Sequence, residues 1–366
     1  MINLIGYSEE KLKQLFVDWE VPAYRVQQVF SWVYLHQIRK FEEMTNLSKD
    51  LRARLAEHFV ISLPQIAART HSQDGSIKYL FELDNGSQVE SVWMPDETRK
   101  TLCISSQVGC RLACSFCLTA TLGLRNNLTA GEIIGQCLAV NDDLPEENQI
   151  TNIVMMGMGE PLDNYEEVCG ALRLLVSPRA MRISNRKVTL STAGLVNRIR
   201  QFAGEGIHVN LAISLNATED ATRDRIMPIN KKYPIKNLME CLKEYPLKPT
   251  RRITFEYVLL KGINDSDEDA VRLGKLLRSV RCKINLIPFN GYEGSPYQPP
   301  SEERIKSFHI LDGDVTDVLD GLRYRLRIVA ERAARKDIAV QAVNLMARVQ
   351  QHGRQNGADI TFVPGQ

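Results

Sequence analysis

The run Gln107-Val108-Gly109-Cys110-Arg111-Leu112-Ala113-Cys114-Ser115-Phe116-Cys117 places three cysteines in the spacing C-x3-C-x2-C. Iron–sulfur clusters are held by cysteine thiolates, and a four-iron cluster normally takes four of them. Three local thiolates leave one iron open. An open iron binds a small molecule and passes it an electron. The bland alternative is a zinc knuckle or three packed thiols. Structural zinc closes with four ligands, often as C-x2-C pairs, and no second pair follows here. The cluster reading is the stronger of the two.

Working outward, the chain of 366 residues is too long for one ordinary domain. With 44% hydrophobic and 25% charged residues, its composition is that of a globular protein. No apolar stretch approaches the roughly 18 residues of a membrane span, and residues 1–10 lack the basic and apolar regions of a signal peptide. A cytoplasmic location is expected, with no membrane contact. The eight cysteines then read as free thiols and cluster ligands rather than disulfides. A net charge of +2 does not announce a nucleic-acid binder. Residues 321–354, however, carry eight Lys or Arg against two acids. Such a stretch suits phosphate contacts or a solvated face.

Residues 1–62 read as a small helical domain. Ser8 is a candidate cap followed by Leu12, Leu15 and Phe16 at helical spacing, and 23–35 and 48–58 repeat the pattern. Within 63–98, strands at 76–83 and 87–93 flank Asp84-Asn85-Gly86, a hairpin turn signal. From 99 to 300 strand and helix alternate. Strands are expected at 101–105, 152–156, 187–191, 209–215, 252–259 and 283–288, and Thr129-Ala130-Gly131-Glu132 has the form of a capping box. Repeated βα units argue for a parallel sheet wrapped by helices. Ligands in such folds bind at the C-terminal strand ends. Residues 301–366 are less regular, with helices expected at 302–308 and 339–351 and a strand at 323–329.

Several strand ends carry glycine or polar groups. Met155-Met156-Gly157-Met158-Gly159-Glu160-Pro161-Leu162 follows the second strand, where glycine lets the backbone approach a ligand and Glu160 accepts hydrogen bonds from an amine. Ser191, the run Ser214-Leu215-Asn216, and Asn290 end the third, fourth and sixth strands. Taken singly each is a turn or cap residue; together they form a polar ring over the cluster loop.

The cysteine spacing, with an aromatic residue before the third Cys, resembles the radical S-adenosylmethionine (SAM) enzymes. More specifically, Thr101-Leu102-Cys103-Ile104-Ser105-Ser106 leading into the cluster run, Glu132-Ile133-Ile134-Gly135-Gln136, the Met155–Leu162 loop and Asn285-Leu286-Ile287-Pro288-Phe289-Asn290 resemble the RlmN/Cfr family of radical SAM RNA adenine methyltransferases. The resemblance implies an α/β fold, a partial (β/α)6 barrel with a helical N-terminal domain and a β-hairpin connector. It implies a 4Fe-4S cluster on Cys110, Cys114 and Cys117, and SAM held by Gly159, Glu160, Ser191, Ser214, Leu215, Asn216 and Asn290. Asn216 stands where the family usually has His. Cys103 matches the resolving cysteine, and Glu90 the proton acceptor. RNA (rRNA or tRNA) is the implied substrate, and a flavodoxin or ferredoxin the implied electron donor. In the family one SAM methylates a C-terminal Cys and a second supplies a 5′-deoxyadenosyl radical. That radical takes a hydrogen from the S-methyl group, and the methylene radical adds to an adenine carbon.

One feature departs from the pattern. No cysteine follows Cys282. In Arg335-Lys336-Asp337-Ile338-Ala339-Val340-Gln341-Ala342, Ala342 stands where the family carries its methylated Cys. Alanine has no lone pair to methylate. Three readings follow: RNA methylation through another thiol such as Cys103, non-methylating radical SAM chemistry on another substrate, or a non-catalytic RNA-binding paralogue.

Overall fold

The computed structural model describes residues 2–308. The strand expected at 323–329, the helix at 339–351, the basic stretch and Ala342 lie outside the described residues.

The N-terminal segment pairs a short strand β1 (Ile2–Asn3) in parallel with β2 (Phe59–Val60) around three helices, α1 (Glu9–Asp18), α2 (Tyr24–Phe30) and α3 (Lys49–His58). The Ser8 and Ser48 hydroxyls accept from Lys11 N–H and Leu51 N–H, each satisfying an N–H that the first helical turn leaves unpaired. The apolar stripes Leu12/Phe16, Val26/Val29/Phe30 and Leu51/Leu55 meet inside. The single helix expected over 23–35 is divided: α2 gives way to a π-helical turn over Ser31–Leu35.

Strands β3 (Gln65–His71), β4 (Ile77–Glu82) and β5 (Gln88–Pro95) run antiparallel, and β5 continues antiparallel onto β6 (Lys100–Cys103). The β4–β5 hairpin is the one its Asp-Asn-Gly turn announced, with Gly86 at φ 75°. Sequence reading missed β3. It is a sheet edge with almost every side chain exposed, so it carries no apolar alternation.

After β6 come β7 (Gln107–Gly109), α4 (Leu118–Thr121), β8 (Leu124–Asn127) and α5 (Ala130–Asp143). Then β9 (Asn152–Met155), α6 (Tyr165–Val176), β10 (Val188–Thr192), α7 (Val196–Ala203), β11 (Asn210–Ser214), α8 (Asp220–Ile226), α9 (Ile235–Glu244), β12 (Ile253–Leu259), α10 (Asp267–Leu277) and β13 (Cys282–Pro288) follow in turn. The sheet order is β13-β12-β11-β10-β9-β6-β5-β4-β3, with β6 and β9 to β13 all parallel. Six parallel strands joined through helices form the expected partial (β/α)6 barrel. Because β6 pairs with β5 and not with β13, the barrel stays open.

Register identifies its inner face. Ser191 on β10 and Glu256 on β12 are two strands apart, yet Ser191 Oγ lies 3.2 Å from Glu256 Oε2. Strands two apart are separated by roughly 9.5 Å, so these side chains meet only across a concave surface. Ala212, the partner of Ser191 on the intervening strand, is small enough to let them touch. Following the pairs outward, Cys103, Val154, Thr189, Ser191, Ser214, Glu256 and Asn285 share this face. Alternate residues such as Ile153, Leu190, Ile213 and Phe255 are fully buried under the helices.

Candidate active site

The cluster loop is pinned at both ends. β7 and β8 form a bulged antiparallel pair around it, and Cys110 N–H donates to Gly123 O at 3.1 Å. Gly109 has φ +80°, and a Cβ there would lie 1.7 Å from Gly123 O, so only glycine closes this neck. Across the barrel mouth, Ser115 N–H donates to Ile226 O at 3.0 Å, and Ser115 Oγ lies 2.7 Å from Tyr297 Oη. Leu112, Cys114 and Phe116 pack on Ala193, Ala217, Ile226, Met227, Leu260 and Phe289. The loop therefore leaves the end of the first barrel strand and docks beside the third to sixth. β7 had no sequence signal: three residues are too few for a pattern.

Within the loop, burial pushes the Cys110 thiol up to about 12, and the Cys114 and Cys117 thiols also rise. Cys110 and Cys114 are raised further by the charge of Cys117, so the three sulfurs are electrostatic neighbours. No three His, Cys, Asp or Glu among the described residues gather around a point that would hold one metal ion. A four-iron cluster asks for something different, three thiolates each on its own iron, and the donor set fits that. Binding iron removes the proton from each ligating thiol outright. Cys137, Cys169, Cys241 and Cys282 are buried on their helices and strand as packed thiols.

The Met155–Leu162 loop closes onto the cluster hairpin. Glu160 N–H donates to Gln107 Oε1 at 2.8 Å, and the Gln107 amide also donates to Asn127 and Asp163. Gly159 takes φ +102°, and a Cβ there would lie 2.6 Å from Gln107 Cβ. The Glu160 carboxylate accepts from Ala193 N–H at 2.8 Å and Leu162 N–H at 3.1 Å, tying the second strand end to the third. Burial pushes its carboxyl up to about 7. The Thr192 hydroxyl is a third donor to it, which leaves about one of its roughly four lone-pair sites for a ligand.

The other rim residues divide. Ser191 and Ser214 stand on the inner face. Asn290 is half-buried just beyond β13. Leu215 is fully buried, and its N–H and C=O are taken by Glu256 O and Arg223 Nε. Asn216, at φ 58°, accepts from Val258 N–H at 2.8 Å and points its amide nitrogen at Met227 Sδ. Its side chain fixes the strand end rather than facing outward.

Cys103 sits on the inner face opposite Val92, 2% exposed, its thiol pushed up to about 12 by burial and further by Glu256. Glu90 lies two residues from Val92 on β5, hence on the same face. Its Oε1 accepts from Lys78 Nζ at 3.1 Å, both side chains being 1% exposed. Burial pushes the Glu90 carboxyl up to about 7 in spite of that ammonium.

Three residues at the site were not singled out from sequence. Glu256 and Lys78 are charged residues inside apolar strands, a pattern that marks an inward polar position. Arg223 carried no such signal. It is fully buried and donates to Leu215 O, Ala193 O, Ser214 O and Asn230 Oδ1, gathering the third and fourth strand ends. It also provides positive charge beside Cys114.

Comparison with known proteins agrees with this arrangement. Residues 2–61 match the ribosomal RNA large subunit methyltransferase N-terminal domain, and residues 104–274 the radical SAM superfamily. The chain is 43% identical to the dual-specificity RNA methyltransferase RlmN of Paracoccus denitrificans, over 98% of this chain and 93% of that one. It is 50% identical to that of Pelobacter propionicus, over 83% and 87%. The crystal structure of a radical SAM methyltransferase from Sphaerobacter thermophilus superposes with a TM-score of 0.81 at 39% identity, covering 90% of this chain and 95% of that one. By the extent of this similarity, the chain belongs to the RlmN family of radical SAM methyltransferases.

Proposed function

We propose that this protein is a radical SAM enzyme acting on an adenine in RNA, as its relatives' names describe for them. The observation that carries the reading is the convergence of the Cys110–Cys117 loop with the Glu160 loop and the Ser191 and Ser214 strand ends at one end of the barrel. The three thiolates hold a 4Fe-4S cluster, which when bound supplies the electron that cleaves SAM to a 5′-deoxyadenosyl radical. Glu160 accepts from the SAM amine with its remaining lone pair. Gly159 keeps the backbone close to the ligand, and Ser191, Ser214 and Asn290 offer it polar groups. The backbone around Leu215 and Asn216 sets the shape of that rim. Cys103 and Glu90, on the inner face below, are the thiol that resolves an RNA adduct and the acceptor for a substrate proton. Residues 1–62 serve as an accessory helical domain, 63–98 as a connector, 99–300 as the catalytic core and 301–366 as a divergent terminus. The substrate is rRNA or tRNA, and the electron donor a flavodoxin or ferredoxin in the cytoplasm.

One observation favours a second reading. No cysteine follows Cys282, so the family's methyl-carrying thiol is absent from the sequence. Reduced, cluster-loaded protein incubated anaerobically with SAM and bacterial RNA separates the two. Formation of 5′-deoxyadenosine together with S-adenosylhomocysteine and methyladenine means that methylation runs through another thiol. 5′-Deoxyadenosine alone means non-methylating radical chemistry.

A further inference from the structure

Among the described residues, Lys78–Glu90 is the ion pair with both side chains almost wholly buried; every other pair has a partner at least a quarter exposed. Its geometry is asymmetric. Oε1 of Glu90 takes the ammonium at 3.1 Å, while Oε2 is buried with no hydrogen-bond partner. A buried acceptor without a partner costs about 1–3 kcal/mol and asks for an explanation. Register places both side chains on the catalytic face: Lys78 pairs with Val92, Val92 with Cys103, and Glu90 lies two residues along the same strand. The Glu90 backbone is itself fixed, its carbonyl accepting from Ser105 Oγ at 2.6 Å. A pair this deep contributes little net stability, because desolvating two charges offsets their attraction. Fold stability alone therefore does not account for it.

We propose that Lys78 is a positioning residue: its ammonium occupies one oxygen of Glu90 and holds the carboxylate ionised, leaving the other oxygen to take a proton from substrate. This rests on the reading of Glu90 as the proton acceptor. In the step it serves, a C–H bond of the adenine adduct breaks, its electron pair stays in the ring, and the proton forms an O–H bond at Oε2. Lys78 keeps its own proton throughout and neutralises the pair beforehand. The electrostatic surroundings agree. Burial alone drives Glu90 towards its neutral form, and Lys78 is the group that opposes this. The field acting on Lys78 is in turn that of Glu90. Cys103 shares the face as a neutral thiol, and Glu256 acts on Cys103 from across the lumen. An acceptor poised near neutrality is the efficient one at physiological pH.

The test is the protonation midpoint of Glu90 in the full-length, cluster-loaded protein, read by infrared difference spectroscopy with 13C-glutamate and identified by the band lost in Glu90→Gln. Lys78→Met should raise the midpoint by at least one pH unit, a tenfold gain in proton affinity. Lys78→Arg should restore it to within half a unit of the unsubstituted protein. Lys78→Gln keeps a hydrogen-bond donor and loses only the charge; it should behave as Lys78→Met and serves if that variant does not fold. A midpoint unmoved or lowered in the neutral variants overturns the assignment of Lys78. If instead they move it as expected but adding adenine-containing RNA leaves the Glu90 band of the unsubstituted protein unchanged, the acceptor reading falls and the role for Lys78 falls with it.

Discussion

Arg223→Met removes the buried guanidinium that joins the third and fourth barrel strands while keeping side-chain length. The arginine donates to Ala193 O at 2.7 Å, Leu215 O at 2.9 Å and Ser214 O at 3.1 Å, and methionine donates to none. Left without donors, these three carbonyls, two in buried bonds and one in a partly buried bond, cost at most about 1–3 kcal/mol each, or roughly 3–9 kcal/mol together. Against this, the folded state no longer desolvates a cation, which returns several kcal/mol. The net destabilisation expected is about 2–4 kcal/mol. With a urea slope of about 2–3 kcal/mol/M, the unfolding midpoint should fall by roughly 1 M. Arg223→Lys keeps the charge, but one ammonium cannot span the same carbonyls, and it should recover only part of the loss. Because those carbonyls shape the rim, SAM affinity should weaken at least tenfold, read by titrating the change SAM causes in the reduced cluster's electron paramagnetic resonance signal. A methionine variant with midpoint and SAM affinity unchanged would refute the reasoning, since it would mean the strand ends hold themselves.

Cys110→Ala should abolish the visible charge-transfer absorbance of the reconstituted protein; an unchanged spectrum removes the cluster assignment. Gly109→Ala forces a Cβ into Gly123 O at a positive φ, so the neck of the loop must open, and iron per chain should fall by more than half with the far-ultraviolet circular dichroism retained. Glu160→Gln replaces one of two accepting oxygens by a donor facing a backbone N–H, and SAM should bind at least tenfold more weakly while the cluster persists. Stability of the cluster-free protein should decline between about pH 4.5 and 7. Burial raises the carboxyls of Glu90, Glu160 and Glu256 in the folded state, so folding takes up protons there, and the stability these groups provide at low pH is lost as pH rises through their folded values. Urea midpoints at pH 5.5 and 8 measure this, and a higher midpoint at pH 8 contradicts it.

The site was legible where its chemistry is local. Cys110, Cys114 and Cys117 are bound to one short loop, so their spacing in the chain limits their spacing in space. Gly159 and Glu160 were legible for the same reason, sitting where a strand gives way to a helix. Asn216 shows where such reasoning stops. Its place at a strand end suggests a side chain free for a ligand, while in the fold a left-handed backbone and the N–H of Val258 engage that side chain. Nothing near Asn216 in sequence announces Val258, 42 residues away.

By itself, the sequence determined the class of chemistry, the alternation of strand and helix and the succession of six barrel strands along the chain. These follow from covalent spacing and from hydrophobic periods a few residues long. The absence of a cysteine after Cys282 is likewise a fact of sequence alone. Only the tertiary structure decided which polar groups meet. Ser191 reaches Glu256 because the sheet curves and Ala212 is small, Lys78 reaches Glu90 because the hairpin register sets them on one face, and Arg223 meets three carbonyls because a helix returns beneath two strand ends. The first two contacts depend on strand register, and a slip of one residue would turn those side chains to the opposite face.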